Sequence, residues 1–128
     1  MDFLSSNSFL MLEKSAGFLW TKQAAITDNV ANAETPNYKK KVVTFEESLR
    51  GKLKAASSGF QPKKTVRTVL DASDFAVEEQ LDSVRMDENG VNTTEEMVEA
   101  VRTAYQLRYV YSAISHDLSM LRTAIRGQ

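Results

Sequence analysis

The longest amphipathic stretch of this chain is TTEEMVEAVRTAYQLRYVYSAISHDLSMLRTAIR, residues 93–126. It contains no glycine or proline, and its apolar residues recur in alternating steps of three and four, the spacing of a coiled-coil seam on an α-helix. The residues of this C-terminal seam are Met97, Ala100, Ala104, Leu107, Tyr111, Ile114, Leu118, Leu121 and Ile125. At 1.5 Å per residue, the pattern predicts a helix of about 33 residues and roughly 50 Å.

Both ends of this helix are marked by local sequence. The tetrapeptide Asp87–Gly90 predicts a turn before it, because Asn-Gly tolerates positive φ. Thr93, followed three residues later by Glu96, predicts a capping box, in which each side chain bonds the other's otherwise unpaired amide. Gly127 predicts the C-terminal end, since glycine adopts the left-handed conformation that closes a helix.

A second seam lies near the N-terminus and predicts a partner helix. Its residues are Phe9, Leu12, Ala16, Leu19, Ile26, Val30 and Ala33, with Gln23 at the one polar step. Side-chain oxygens between Ser5 and Ser8 favour a helix start there. The helix should end near Ala33, because the residue before Pro36 is disfavoured in a helix. The predicted fold class is therefore mainly α, with long N- and C-terminal helices that pack as a coiled coil and a partly irregular central segment.

The central segment has weaker signals. Residues 42–45 predict a short extended piece, and residues 46–53 a helical turn or two. Residues 54–65 predict a flexible loop, because they are small and polar and contain a glycine and a proline. Residues 66–70 fit a strand or a helix, whereas residues 75–86 fit a helix better.

These elements divide the chain into an N-terminal helix with its turn (1–38), a central variable segment (39–92) and a C-terminal helix (93–128). We expect the two terminal parts to pack as one core domain. The net charge of -1 hides a basic block at 39–67, with nine basic residues, and an acidic block at 68–99, with ten acidic residues. Opposite blocks attract each other within one chain or between neighbouring copies. The sequence leaves both arrangements open and slightly favours attraction between neighbouring copies.

Several motifs that resemble reactive sites fail on geometry or chemistry. A calcium-loop template ending at Glu96 would begin at Arg85, a cation where the template needs a carboxylate. Ser115, His116 and Asp117 are consecutive, and consecutive helical side chains point about 100° apart, so they cannot form a catalytic relay. The chain has no cysteine and a single histidine, which excludes thiolate chemistry and disfavours a histidine metal site. The sequence predicts no catalytic residue, cofactor or metal.

The segment Ala25–Tyr38, AITDNVANAETPNY, resembles the N-terminal signature of the flagellar axial proteins, the rod, hook and hook-associated family of bacteria. In that family a helix ends in an Asn-x-x-Asn-x-x-Thr-Pro-Gly-Tyr pattern. The matching positions are Asn29, Asn32, Thr35, Pro36 and Tyr38, with Asn37 in place of the usual glycine. Asparagine is the commonest substitute where the second central residue of a type II turn needs positive φ. Segments 43–49, 89–97 and 121–128 also resemble rod members of the family.

The resemblance implies a non-enzymatic subunit of the proximal rod, which crosses the periplasm and transmits torque. It implies self-assembly through the terminal helices, with Val98, Val101 and Tyr105 as an additional apolar strip beside the C-terminal seam. Implied partners are other copies of the chain, other rod proteins such as FlgC, FlgF and FliE, and the flagellar type III export apparatus, with no nucleic acid and no small-molecule substrate. Residues 1–20 lack the pattern of a cleaved secretory signal, as such export requires.

Two rival interpretations remain open at this point. One is a free-standing coiled-coil module that uses the basic segment 39–67, including Lys39–Lys41 and Lys63–Lys64, to bind an acidic or nucleic-acid partner. The other is an enzyme, for which the sequence supplies no nucleophile and base at a workable spacing.

Overall fold

A computed structural model describes residues 6–44, 53–55, 62–72, 76–80 and 91–127. Within these ranges the chain forms five elements and a short helical turn at 53–55. In chain order the elements are α1 (Asn7–Ala31), β1 (Lys40–Thr44), α2 (Pro62–Asp71), β2 (Ala76–Gln80) and α3 (Thr93–Arg126). The fold is mainly α with long terminal helices, which confirms the predicted class. None of the helices in the described ranges is long and apolar enough to cross a membrane.

The start of α1 agrees with its sequence signal. The Ser6 hydroxyl accepts a hydrogen bond from the Phe9 amide at 3.2 Å, which satisfies one of the free donors of the first turn. The helix ends at Ala31, two residues before the predicted end, and the Asn32 amide closes it by donating to the Asp28 carbonyl at 3.1 Å.

The start of α3 differs from the predicted capping box. The cap is Asn92, whose side-chain oxygen accepts from the Thr94 amide at 3.2 Å and whose amide nitrogen donates to Glu95 at 2.9 Å. The predicted pairing of Thr93 with Glu96 is wrong, because the Glu96 side chain is buried among residues from elsewhere in the chain. At the other end, Gly127 has a φ of +71° and confirms the predicted stop.

The terminal helices pack antiparallel. Asn29, near the end of α1, bonds Glu96 at the start of α3, and Trp20, further back in α1, donates to the Tyr111 hydroxyl further along α3. Helix α2 packs on α1 through Val66, Val69 and Leu70. The most deeply buried apolar cluster combines the three helices and consists of Phe18, Leu19, Leu70 and Val110.

The central segment is more regular than its sequence predicts. Strand β1 pairs antiparallel with β2 in a register that sets Lys40 opposite Gln80 and Thr44 opposite Ala76. The extended prediction for 42–45 is confirmed through Thr44. The helix predicted over 75–86 is wrong for Ala76–Gln80, because pairing with β1 stabilises an extended backbone there.

The remaining central predictions have mixed outcomes. The predicted loop is wrong from Pro62 onwards, where α2 begins, since proline at the first helical position gives up no hydrogen bond. Residues 54 and 55 of that loop lie in the helical turn, and residues 66–70 are helical. The predictions for 45–52, 56–61 and 81–90 lie outside the described residues.

Candidate assembly interface

The last turn of α1 carries a buried asparagine that joins three elements. The Asn29 amide nitrogen donates to the Lys41 carbonyl at 2.8 Å and to Glu96 Oε2 at 3.0 Å. Its Oδ1 accepts from the Lys41 amide at 2.8 Å and from the Tyr38 hydroxyl at 3.3 Å. The side chain therefore uses both of its donors and both acceptor sites of its oxygen.

Glu96 lies at the centre of the same cluster and is only 3% exposed. Besides the bond from Asn29, its Oε1 lies 2.8 Å from the Lys40 ammonium. A buried carboxylate is strongly unfavourable unless it is paired and hydrogen-bonded, and here it is both. We call the set Asn29, Tyr38, Lys40, Lys41 and Glu96 the signature junction, because its first two members lie in the segment that resembles the flagellar signature.

The turn that follows α1 brings β1 back to this junction. The Tyr38 amide donates to the Thr35 carbonyl at 3.3 Å, which closes a turn around Pro36 and Asn37. Asn37 has a φ of +59°, whereas proline is held at negative φ, and this combination defines a type II turn. The positive φ predicted for Asn37 is confirmed. The Asn32 side chain donates to the Asp28 carbonyl at 2.9 Å, within the exposed end of α1.

Ion pairs extend the contact between α1 and α3. The Lys22 ammonium lies 2.6 Å from Glu99 Oε1, and Arg102 lies 3.0 Å from the other oxygen of Glu99. The hydrogen bond from Lys22 lowers the pKa of Glu99, with smaller contributions from the charges of Lys22 and Arg102, against the opposing effect of burial. Glu99 is therefore held ionised against α1.

The basic and acidic blocks meet within one chain at the described positions. Lys40 of β1 contacts Glu96, and the antiparallel pairing places β1, from the basic block, beside β2, from the acidic block. Of the two arrangements that the sequence leaves open, these contacts realise the intramolecular one.

The N-terminal seam faces the core along α1. Leu19 and Ile26 are buried. The other seam positions are half-buried, namely Phe9, Leu12, Ala16, Gln23, Val30 and Ala33. Phe18, Ala25 and Asn29 are buried as well, because α1 is covered by α2 and the sheet in addition to α3.

The C-terminal seam is divided between two sides of α3. Four of its nine positions are half-buried, namely Ala100, Leu107, Ile114 and Leu121. The other five are exposed, namely Met97, Ala104, Tyr111, Leu118 and Ile125. Glu96, Thr103 and Val110, each one residue earlier than an exposed seam position, are buried. At these positions the buried side of α3 is therefore formed by the residue before each predicted seam residue. The packing of the exposed seam residues against other molecules stays a prediction.

The side of α3 that faces away from α1 is apolar over its first three turns. Val98, Val101 and Tyr105, the additional strip noted in the sequence, are 59%, 58% and 69% exposed. Thr94 and Met97 join Val98 and Val101 around a shallow apolar depression on this face. Exposed apolar side chains that adjoin one another on a helix are typical of a surface that binds another protein.

The first six positions of the calcium-loop template, 85–90, lie outside the described residues, whereas Ser115, His116 and Asp117 lie on α3. His116 is largely exposed, and its Nδ1 lies 3.8 Å from Asp117 Oδ1, too far for a hydrogen bond. Among the described residues, no group of three or more histidines and carboxylates is placed to hold a metal ion.

Long antiparallel terminal helices, with an Asn-x-x-Asn-x-x-Thr-Pro turn after the first and an exposed apolar face on the second, are the arrangement expected of a helical assembly subunit. The chain is similar to the flagellar basal body rod protein FlgB of Bacillus subtilis (strain 168), with 29% identity over 129 residues that cover 97% of each chain. No family model matches the chain. The similarity to FlgB confirms the resemblance found in the sequence.

Proposed function

We propose that this protein is a structural, non-enzymatic subunit of the bacterial flagellar basal-body rod. The observation that carries the proposal is the similarity to a rod protein across 97% of both chains, which includes the terminal helices and the signature turn. A rod subunit needs stiffness and repeated contacts with its neighbours. It needs no reactive group.

Two features of the geometry support the proposal. Helix α3 is a 34-residue rod that is tied to α1 by the signature junction and by the Lys22–Glu99 pair. Its outer face presents apolar side chains that the fold of one chain leaves exposed. Burying such a face between copies stabilises an assembly in proportion to the apolar area removed from water.

The proposal includes partners and location. We place the chain in the proximal rod that crosses the periplasm, in contact with its own copies and with other rod proteins such as FlgC, FlgF and FliE. It would reach that site through the flagellar type III export apparatus without a cleaved signal. The terminal parts, 1–38 and 93–128, would form the core domain of the subunit, and 39–92 its variable segment.

The rival function, a module that binds polyanions through segment 39–67, has less support. Two of its lysines are already paired within the chain, Lys40 with Glu96 and Lys41 with Asp28 at 2.9 Å. These pairs reduce the positive charge available for phosphates.

Deletion of the gene in the source bacterium tests the proposal. We expect loss of flagella and of swimming, restored by the wild-type gene on a plasmid. Purified basal bodies from the restored strain should contain the chain when analysed by mass spectrometry. The function would be refuted by normal flagella in the deletion strain together with basal bodies of the restored strain that lack the chain.

A further inference from the structure

We infer that a polar face on the second half of α3 binds an acidic helix of a different protein. Six residues form this face, which we call the arginine–serine stripe: Arg108, Ser112, Ser115, Ser119, Arg122 and Arg126. The inference goes beyond the proposed function, because it concerns a surface that this function leaves unused and names the chemistry of the partner.

The arginine–serine stripe is one straight row of side chains. Its members follow one another in steps of four, three, four, three and four residues, and all of them are exposed. At roughly 100° per residue they fall within about 80° of arc, on the side of α3 away from the buried Thr103 and Val110. At 1.5 Å per residue the row is about 27 Å long. It therefore has the length and direction of a contact with one further helix.

The arginines of the stripe carry charge that the chain itself does not neutralise. Within the described part of the chain, Arg108, Arg122 and Arg126 form no ion pair, whereas Arg102, earlier on the same helix, lies 3.0 Å from Glu99. The stripe contains no acidic residue, so its net charge is that of its arginines. Arginine stays ionised and binds carboxylates through a planar fork of N–H donors. The complement of the stripe is therefore a row of carboxylates.

The serines determine how closely a partner approaches. Ser112, Ser115 and Ser119 occupy the centre of the stripe, and small side chains at a contact shorten the distance between two helix axes. Their hydroxyls also donate hydrogen bonds to carboxylates. A helix whose Asp or Glu residues recur every three and four positions would lie along the serines and set its carboxylates against the arginines.

Three other occupants fit the stripe less well. A helix that lies on a membrane buries an apolar face, whereas the centre of this stripe is polar. A phosphate polymer carries charge at every unit, whereas the arginines stand only at the two ends of the row. A second copy lacks the complement, because no helix exposes more than two acidic residues in its described part, and the two on α1, Glu13 and Asp28, are fifteen positions apart. The partner is therefore a different, acidic chain.

Binding of a labelled model helix to the full-length chain tests this surface. The probe is a stapled helical peptide of about 20 residues, long enough to span the stripe, with glutamates at alternating steps of three and four. In fluorescence anisotropy at low salt, we expect it to bind roughly tenfold more tightly than the same peptide with glutamines. Binding should weaken as salt is added, because the contact is between exposed charges.

Two variants and a matched control locate the contact. We expect Arg108→Gln combined with Arg122→Gln to weaken binding about tenfold, whereas Arg102→Gln, exposed on α3 outside the stripe, should keep wild-type affinity. Ser115→Trp leaves the charge unchanged and should block the close approach of a helix. Equal binding of the two peptides, an equal loss from Arg102→Gln, or wild-type binding by Ser115→Trp would each overturn the inference. Tighter binding of inorganic polyphosphate than of the glutamate peptide would also overturn it, by showing a general anion surface.

Photochemical cross-linking in the source bacterium tests the class of partner. Benzoylphenylalanine replaces Ser115, and as a control it replaces Lys64, which is exposed on α2. We expect an adduct from position 115 alone, with another protein whose cross-linked segment carries a row of Asp or Glu at helical spacing. The adduct should disappear when Arg108→Gln and Arg122→Gln are added. An adduct only with a second copy of this chain, or no adduct, would contradict the inference.

Discussion

Replacing Asn29 by alanine removes the hub of the signature junction. Two of the lost hydrogen bonds, to the amide and carbonyl of Lys41, contribute about 1 kcal/mol each, and the bond to Glu96, which is paired with Lys40, contributes about 1.5–3 kcal/mol. We therefore expect the free energy of unfolding to fall by about 4 kcal/mol. The longer bond from Tyr38 adds little.

Urea unfolding followed by circular dichroism at 222 nm measures this loss. With a denaturant dependence of about 2 kcal/mol per M, the midpoint should fall by about 2 M. Asn32→Ala is the matched control, because Asn32 belongs to the same signature but bonds only within the exposed end of α1 and its turn. It should cost about 1 kcal/mol, the typical net value of a side-chain hydrogen bond. Equal losses from the two variants would refute the role of Asn29 as the hub.

Three further predictions test other parts of the structure. The pKa of Glu99 is lowered in the folded state, so its ionised form stabilises the fold at pH values above the ordinary pKa of 4.5. This stability is lost as the pH falls through the lower folded-state pKa. In thermal melts from pH 6 to pH 3, Glu99→Gln should therefore be less stable than wild type at pH 6 and approach it at pH 3. Asn37→Gly should keep wild-type stability in urea, whereas Asn37→Val should lose roughly 1–3 kcal/mol, because β-branched residues resist positive φ. Leu107→Asp should abolish swimming by placing an unpaired charge in the contact of α3 with the core, whereas His116→Asp, on the exposed side, should swim normally.

Sequence predicts those features of the fold that depend on neighbouring residues. The start of α1 at Ser6, the stop of α3 at Gly127 and the positive φ of Asn37 each follow from the chemistry of a few adjacent positions. Strand β2 was missed because its extended conformation depends on pairing with β1, more than thirty residues earlier in the chain. An apolar pattern alone favoured a helix there.

The junction was missed for a related reason. Glu96 suits a local capping box, yet its partner Asn29 lies 67 residues away, and no local rule predicts that a glutamate will be buried. Thr103, completely buried in the same row of α3, misled the seam prediction because a polar residue is assigned to the solvent side. The contact with the core thus combines this polar row with the seam residues Leu107 and Ile114, which the apolar spacing did select.

The polar character of this buried row explains how one helix serves two kinds of contact. Apolar seams tolerate sliding between helices, whereas a buried polar group is satisfied in only one alignment, as polar residues in coiled coils demonstrate. Asn29 and Glu96 can therefore fix the alignment of α1 with α3 while Val98, Val101 and Tyr105 remain free of that contact and open to neighbours. Loss of Asn29 should then weaken the isolated chain, whereas Val101→Asp should leave its urea midpoint unchanged and remove the chain from basal bodies. A Val101→Asp variant that lost stability in proportion to its loss of assembly would place Val101 inside the fold and contradict this division.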